Sequence, residues 1–235
     1  MNIPTLAVAE HAGPSSCDVK QLIITGGQGS LARAIAEAFA GSDWQINAPS
    51  RLELDVTQRE AVEAFFADRA VDLLVCAAGI TRDAPLLRHS EKDWDEVMAV
   101  NYHGAAACAR AALPSMVARQ TGHIVFISSH SALQPPLGQS SYAAAKAALL
   151  GFADQLAGET GSHGVRVNSI LPGFLETRMT ESVTATRREQ VLADHRLGHF
   201  NTPAAVARFI HFLHHELPHT SGQVFQLDSR KAQKT

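Results

Sequence analysis

Short apolar runs that stop at a turn of small residues and give way to a helix-spaced segment recur along this chain, and they leave few folds open. Gln21-Leu22-Ile23-Ile24 ends at Thr25-Gly26-Gly27, and Val71-Asp72-Leu73-Leu74-Val75-Cys76 ends at Ala77-Ala78-Gly79. Gly122-His123-Ile124-Val125-Phe126-Ile127 and Val165-Arg166-Val167-Asn168-Ser169-Ile170 are two more such runs. Runs this apolar read as strands covered on both faces, which is the signature of a parallel sheet. Trp44 to Ala48 and Gln223 to Leu227 complete the strands. Helical spacing falls between them, over Ser30 to Ala40, Thr57 to Arg69, Ser140 to Thr160 and Ala204 to His214. Glu91 to Met116 reads as two helices meeting near Asn101, and Pro172 to Phe200 carries little order signal. Strands alternating with helices predict an α/β fold, a doubly wound parallel sheet with helices on both faces.

One spacing breaks the pattern. Only Pro49-Ser50-Arg51-Leu52-Glu53-Leu54 separates the strand ending near Ala48 from Asp55. A parallel crossover needs about a dozen residues or more, so the third strand of such a sheet is predicted to be vestigial or missing. With 235 residues, 46% of them hydrophobic, the chain can bury one sizeable core. It shows no repeat, linker or second domain. The expected organisation is a loose N-terminal extension over 1–19, one domain over 20–229 and a tail over 230–235.

Composition excludes several functions. A net charge of −3 offers no basic surface for nucleic acid. No apolar stretch reaches membrane-spanning length. The first twenty residues lack a basic n-region and carry Glu10, His11 and Asp18, unlike a signal peptide. Cys17, Cys76 and Cys108 are far apart and odd in number, which suits a reducing cytoplasm and gives no metal spacing. His211, His214 and His215 share a helical segment, but no carboxylate or cysteine completes a metal site.

The chemistry concentrates in three side chains. Tyr142 and Lys146 stand four residues apart, on one face of a helix. Ser129 lies thirteen positions before the tyrosine, at the end of an apolar run. A tyrosine ordinarily titrates at about 10, and a neighbouring cation favours its phenolate. A serine hydroxyl can hold a substrate oxygen beside it, a set suited to moving a proton on or off an alcohol or carbonyl. Thr25-Gly26-Gly27-Gln28-Gly29-Ser30-Leu31-Ala32 joins the first strand to the first helix, where a tight glycine turn brings backbone amides to a pyrophosphate. No acidic residue closes the second strand to grip ribose hydroxyls. Ser50-Arg51 stands there instead, and arginine can take a 2′-phosphate, which points to NADP(H). The alternative for Arg51 is a solvated loop arginine.

Together these residues resemble the short-chain dehydrogenases/reductases, and within them the 3-oxoacyl-(acyl-carrier-protein) reductases, from about Lys20 to Ser229. The resemblance implies a Rossmann-type domain. It places Thr25 to Leu31 at the cofactor turn, Asp55-Val56 at the adenine contact, and Cys76-Ala77-Ala78-Gly79 where relatives carry Asn-Asn-Ala-Gly. It makes Asn101, Ser129, Tyr142 and Lys146 a catalytic tetrad. Pro172-Gly173-Phe174-Leu175-Glu176-Thr177 becomes the segment holding the nicotinamide, with Thr177 on its carboxamide. The implied reaction is reduction of a ketone by NADPH: Ser129 binds the carbonyl oxygen, Tyr142 donates the proton, Lys146 lowers the tyrosine pKa and holds the ribose, and Asn101 keeps a water linked to Lys146.

The chain departs from the pattern at Ser30 and Ala32, where relatives carry glycine. Gly29 is expected to provide the close approach and Ser30 to cap the helix. Cys76 and Ala77 remove two amides that brace the strand ends. Arg119 and His163 are the candidate contacts for an acidic acyl-carrier protein, and Gly173 to Phe200 the candidate lid. Alanine-rich segments over Ala105–Ala112 and Ala143–Ala148 allow close helix pairing, which in the family builds a homotetramer, a dimer being the lesser alternative. The resemblance thus implies a 3-oxoacyl thioester reductase of fatty-acid or polyketide-type synthesis. A reductase of another small ketone or alcohol, or a non-catalytic partner subunit, are the alternatives.

Overall fold

A computed structural model describes residues 19–41 and 43–230. The expected extension and tail, with Cys17, fall almost entirely outside these residues. Six strands form one parallel sheet: β1 (Lys20–Ile24), β2 (Trp44–Asn47), β3 (Leu73–Cys76), β4 (Gly122–Ile127), β5 (Val165–Leu171) and β6 (Val224–Gln226). Their order across the sheet is β2-β1-β3-β4-β5-β6, with every neighbouring pair parallel. The helices are α1 (Ser30–Ala38), α2 (Arg59–Phe66), α3 (Glu91–Met98), α4 (Ala105–Arg119), α5 (Ser140–Thr160), α6 (Ala185–Ala193) and α7 (Pro203–His215). The segment between β2 and α2 forms turns and no strand, as its length demanded. Its apolar residues are still used: Leu54 and Val56 are buried in the core.

Successive strand residues point to opposite faces, so each buried strand feeds two cores. On one face Leu22, Ile24, Leu73, Val75 and Ile170 meet Ile35 of α1, Phe39 just after it, and Val206, Ile210 and Leu213 of α7. On the other, Ile23, Leu74, Ile124, Phe126 and Val167 meet Val62 of α2, Cys108, Ala112 and Met116 of α4, and Leu149 and Leu156 of α5. Among the described residues no helix is long and apolar enough to cross a membrane.

The structure adds order where the sequence suggested little. Within Pro172–Phe200 lie α6 and a 3-10 turn over Arg178–Thr180. Thr184 caps α6 by accepting a hydrogen bond from the Arg187 amide. Val191 is the helix's one buried residue, so no apolar stripe announced it.

Strand order leaves chain order between β1 and β3, and ligands of open α/β sheets bind outside the strand ends at such a switch point. Thr25 closes that joint. Its hydroxyl accepts hydrogen bonds from the Ala77 and Ala78 amides at 3.0 and 3.1 Å, while its own amide donates to the Val75 carbonyl. The brace that Cys76-Ala77 was expected to lack is thus supplied from β1. Replacing Thr25 by valine keeps the shape and orphans two partly buried amides, so Thr25→Val is expected to lower stability to urea by about 2 kcal/mol. Thr25→Ser keeps the acceptor and is expected to recover most of that loss; equal losses in both variants would discard the brace.

Candidate active site

The glycine turn is shaped by two close approaches. Gly26 has φ +73, and a Cβ there would lie 2.9 Å from the Ala78 Cα. A Cβ on Gly27 would lie 1.9 Å from the Ala48 carbonyl oxygen, while the Gly27 amide donates to the Pro49 carbonyl. Gly26 and Gly27 thus let the turn pack against the neighbouring strand ends. Gly29 is the N-cap of α1, and Ser30 is the first helical residue and does not cap it. No side chain caps this terminus, so its first amides and the positive end of the helix dipole face the crevice, the arrangement that receives a phosphate. Gln28 contributes its carbonyl to the Arg33 guanidinium, which steadies the turn.

The second-strand end is more self-contained than the sequence suggested. Glu53 accepts the Ser50 amide at 2.7 Å, and that bond holds its carboxyl below the usual range. Asp55 accepts the Thr57 amide and hydroxyl and pairs with Arg51 at 3.3 Å. Arg51 nevertheless remains largely exposed, free to turn to another anion. The Val56 side chain is buried against Gly104, so an adenine contact here falls to the backbone and to exposed edges of the turn.

The four side chains predicted from the sequence come from three places that meet at one edge of the sheet: Asn101 before α4, Ser129 after β4, and Tyr142 with Lys146 on α5. Asn101 lies in a six-residue π-turn, Ala99–Gly104, between α3 and α4. It is fully buried. Its amide donates to the Ile80 and Val97 carbonyls at 2.9 Å each, and its carbonyl accepts the Ile80 amide at 3.3 Å. It therefore clamps the chain after Gly79. A Cβ on Gly79 would meet Asn101 Oδ1 at 2.8 Å and Lys146 Nζ at 3.6 Å, so only glycine leaves those two groups their shared space.

Ser129 Oγ accepts the Ser131 amide at 3.1 Å, which leaves its own hydrogen free to donate. Ser131 is held in turn by Gln139, and Gln139 by Asp83, through bonds of 2.9 and 2.8 Å. Sequence reading did not single out this chain. Lys146 Nζ lies 5.7 Å from the Tyr142 ring centre and donates to the Ile127 carbonyl at 2.8 Å. Burial pushes the Lys146 ammonium down to about 8, partly offset by Cys76. Burial also raises the Tyr142 phenol above its ordinary value; the Ser129 hydroxyl opposes this and Asp83 reinforces it. Burial thus sets the direction for the tyrosine, and the one group that lowers it here is Ser129, where the sequence pointed to Lys146.

The chain after β5 turns over these groups. Gly173, φ +87, lies against Asp228, and Asn201 ties this turn to the end of β6 through the Pro172 and Leu227 carbonyls at 2.9 and 2.7 Å. Leu175 is buried and bridges to Asn201. Phe174 packs on Phe200 with ring centres 4.6 Å apart. Thr180 Oγ1 accepts the Thr177 amide, fixing the backbone where Thr177 leaves the turn. Asn201 and Asp228 also escaped sequence reading, because what they hold is remote in the chain.

Two predicted positions are not at this site. Arg119 pairs with Asp72 at 2.6 Å, and His163 contacts Gln120 at 3.3 Å. They precede β4 and β5, so in a parallel sheet they lie at the opposite edge from Tyr142. A cavity of about 450 Å³ lined by Lys20, Asp72, Arg166 and His214 lies at that far edge and shares no residue with the tetrad. Among the described residues no group of three or more histidine, cysteine or acidic residues is placed to hold a metal ion.

Lys146 links this geometry to stability. Its ammonium titrates at 10.5 ordinarily and at about 8 here, so the folded state disfavours its charge. That penalty, about 3 kcal/mol, acts fully below the folded value and is relieved as pH rises toward the unfolded one. Lys146→Met is expected to stabilise the protein at neutral pH by about 2 kcal/mol, after loss of the Ile127 hydrogen bond, and to flatten the rise in stability above about pH 8. Thermal unfolding across that range checks both; an unchanged slope in the variant would refute the assignment.

Comparison with known proteins agrees with this layout. Residues 49–188 match the family model described as short chain dehydrogenase. A Thermotoga maritima 3-oxoacyl-[acyl-carrier-protein] reductase is 41% identical over 159 residues, 67% of this chain and 65% of that one. An Aquifex aeolicus protein of the same name is 34% identical over 228 residues, 94% of this chain and 90% of that one. Among solved structures, a putative NAD(P)-dependent gluconate 5-dehydrogenase from Beutenbergia cavernae with bound NADP superposes with a TM-score of 0.85 at 28% identity, covering 89% of this chain and 95% of that one. With the strand order, the glycine turn and the Ser129, Tyr142 and Lys146 cluster in place, the chain belongs to the short-chain dehydrogenase family of oxidoreductases.

Proposed function

We propose that this protein is an NADPH-dependent ketoreductase whose substrate is a 3-oxoacyl thioester, carried on acyl-carrier protein. The observation that carries the reading is the meeting of a free-to-donate Ser129 hydroxyl with Tyr142 and the buried Lys146 at the mouth of the switch-point crevice. The crevice suits the cofactor: Gly26 and Gly27 give the backbone clearance, the uncapped start of α1 faces a pyrophosphate, and Arg51 is exposed for a 2′-phosphate. When bound, NADPH supplies the hydride. Ser129 donates to the substrate carbonyl oxygen and orients it. Tyr142, neutral because burial raises its pKa, gives its proton to that oxygen as hydride reaches carbon. Lys146, positive at neutral pH and close to its titration range, stabilises the phenolate left behind and returns a proton. Asn101 holds the Ile80 backbone beside Lys146, where solvent resupplies the proton.

The relatives named as 3-oxoacyl-[acyl-carrier-protein] reductases support the thioester class. The likeness to a gluconate 5-dehydrogenase favours a second reading, a polyhydroxy ketone or alcohol. Exposed Ala144, Ala147 and Gly151 form a small-residue stripe along α5, which supports helix pairing between subunits of a homotetramer.

With acetoacetyl-CoA the purified protein is expected to oxidise NADPH, and Tyr142→Phe and Ser129→Ala to lower kcat by about 10² to 10⁴ while NADPH still binds. Turnover with a keto-gluconate but not with acetoacetyl-CoA would replace the thioester reading by the second one. Arg51→Ala is expected to raise KM for NADPH about tenfold and leave that for NADH unchanged. Equal effects on the two cofactors would remove Arg51 from phosphate recognition.

A further inference from the structure

Among the described residues, two buried ring nitrogens have no hydrogen-bond partner, His130 Nδ1 and His195 Nε2. Native structures leave few such atoms, so a pair in one place needs a reason. His130 follows Ser129 at the end of β4. His195 lies in the turn after α6, and Asp228 and Arg230 lie just beyond β6. The side chains of His195 and Asp228 are both fully buried. Asp228 backs the Pro172–Thr177 turn, since a Cβ on Gly173 would lie 2.7 Å from the Asp228 Cβ. Arg230 Nε donates to Asp228 Oδ2 at 2.5 Å, and Gln226 Nε2 to Oδ1 at 2.8 Å.

The protonation of His195 follows from its contacts. Nδ1 stands 2.7 Å from the Val191 carbonyl, which can only accept, so Nδ1 carries the hydrogen. In the neutral ring Nε2 is then a lone pair, and it faces Asp228 Oδ2 at 3.9 Å. Two acceptors confront each other across a buried gap too long for a hydrogen bond. A proton on Nε2 converts them into a donor and an acceptor. The ring is also mechanically connected: Phe200 packs edge-on against it at 5.6 Å and carries Phe174, next to Gly173, on its other side. The backbone pairs His195 with Arg230, and the Arg196 amide with the Ser229 carbonyl.

We propose that Asp228 is a positioning residue for the Pro172–Thr177 turn and that His195 is its latch: by taking a proton from solvent onto Nε2 it closes on the Asp228 carboxylate and pins the Gly173–Phe200 segment over the crevice. This rests on the reading of that turn as the nicotinamide-holding segment. The groups facing the ring are Asp228, which attracts the proton, and Arg230 and His130, which oppose it. From α6 and its end, Arg187 and Asp194 act on Arg230 with opposite signs. Asp228 is the charge closest to Nε2, at 3.9 Å, and only a protonated Nε2 can donate to it, so the latch tightens as pH falls.

The test uses the full chain without added cofactor. Arg187 and Arg196 are exposed in the segment and report its opening to trypsin. The cleavage rate of His195→Gln divided by that of the wild type cancels the pH dependence of the protease. The ratio is expected to be about fivefold at about pH 6 and near one at about pH 8. Asp228→Asn is expected to match His195→Gln; if it fails to fold by circular dichroism, His195→Gln alone decides. The same ratio at both pH values would overturn the latch. Fluorescence titration with NADPH then separates the two readings. Weaker binding by His195→Gln at the lower pH alone is the expected result. A pH-dependent cleavage ratio in a chain that binds no NADPH would keep the latch and discard the cofactor reading. Equal NADPH affinity of wild type and variant at both pH values would remove Asp228 from positioning the turn.

Discussion

The hydroxyl of Thr25 carries more of this structure than its size suggests. β1 ends in a turn that must leave the sheet at once, and β3 ends beside it in Ala77-Ala78-Gly79, whose small side chains fill little space. With the Ala77 and Ala78 amides just after β3 bonded to the Thr25 oxygen just after β1, the strand ends are held at a fixed separation. Gly26 then fits against Ala78, Gly27 against Ala48, and α1 starts with its amides directed at the crevice. The same joint sets where Gly79 leaves the sheet, and Gly79 is the residue around which Asn101 and Lys146 meet. Cofactor turn and reacting groups are therefore positioned by one hydrogen-bonded junction.

Lys146 shows the opposite economy. Its ammonium sits inside the protein with one carbonyl as its hydrogen-bond partner, in a place where burial disfavours its charge. A core built for stability alone would hold an apolar side chain there. The charge persists because α5 is long and well packed through Ala145, Leu149, Ala153 and Leu156, enough to hold one unfavourable group in position. An ammonium poised near neutrality can give up a proton and regain it, which a solvated lysine does less readily.

Much of this layout was legible in the sequence because it depends on local pattern. Val125, Phe126 and Ile127 read as a buried strand whatever surrounds them, and the six residues from Pro49 to Leu54 are too few for a helix in any context. Tyr142 and Lys146 share a face by helix geometry alone. The failures have a common cause. Arg119 and His163, the candidate carrier-protein contacts, each precede a strand, and in a parallel sheet that puts them at the edge away from Tyr142, which motif spacing does not report. Helix α6 shows no apolar stripe because it lies on the surface with only Val191 inward, although the Thr184 cap was there to be noticed. Asn201, His195 and Asp228 act on residues tens of positions away, and no spacing rule connects them. The sign of the Tyr142 shift depended on burial, which a motif does not report.

The missing strand gives the crevice two unequal ends. At the end beside Tyr142, Asn201 fixes the turn after β5 through the Pro172 and Leu227 carbonyls, Asp228, held by Arg230, packs against Gly173, and Asn101 fixes the chain after Gly79. At the adenine end β2 is the sheet's outer strand, and the Pro49–Asp55 turn satisfies itself, with Glu53 on the Ser50 amide and Asp55 on Thr57 and Arg51. Such a turn keeps its shape without a ligand, but an exposed ion pair is weak, so Arg51 can exchange Asp55 for a phosphate at small cost. Rigidity is thus placed beside Ser129, Tyr142 and Lys146, and adjustable charge at the far end, where Arg51 is exposed. That division follows from the topology: with no strand beyond it β2 is the outer strand of the sheet, while the ends of β3, β4 and β5 hold the groups around Tyr142.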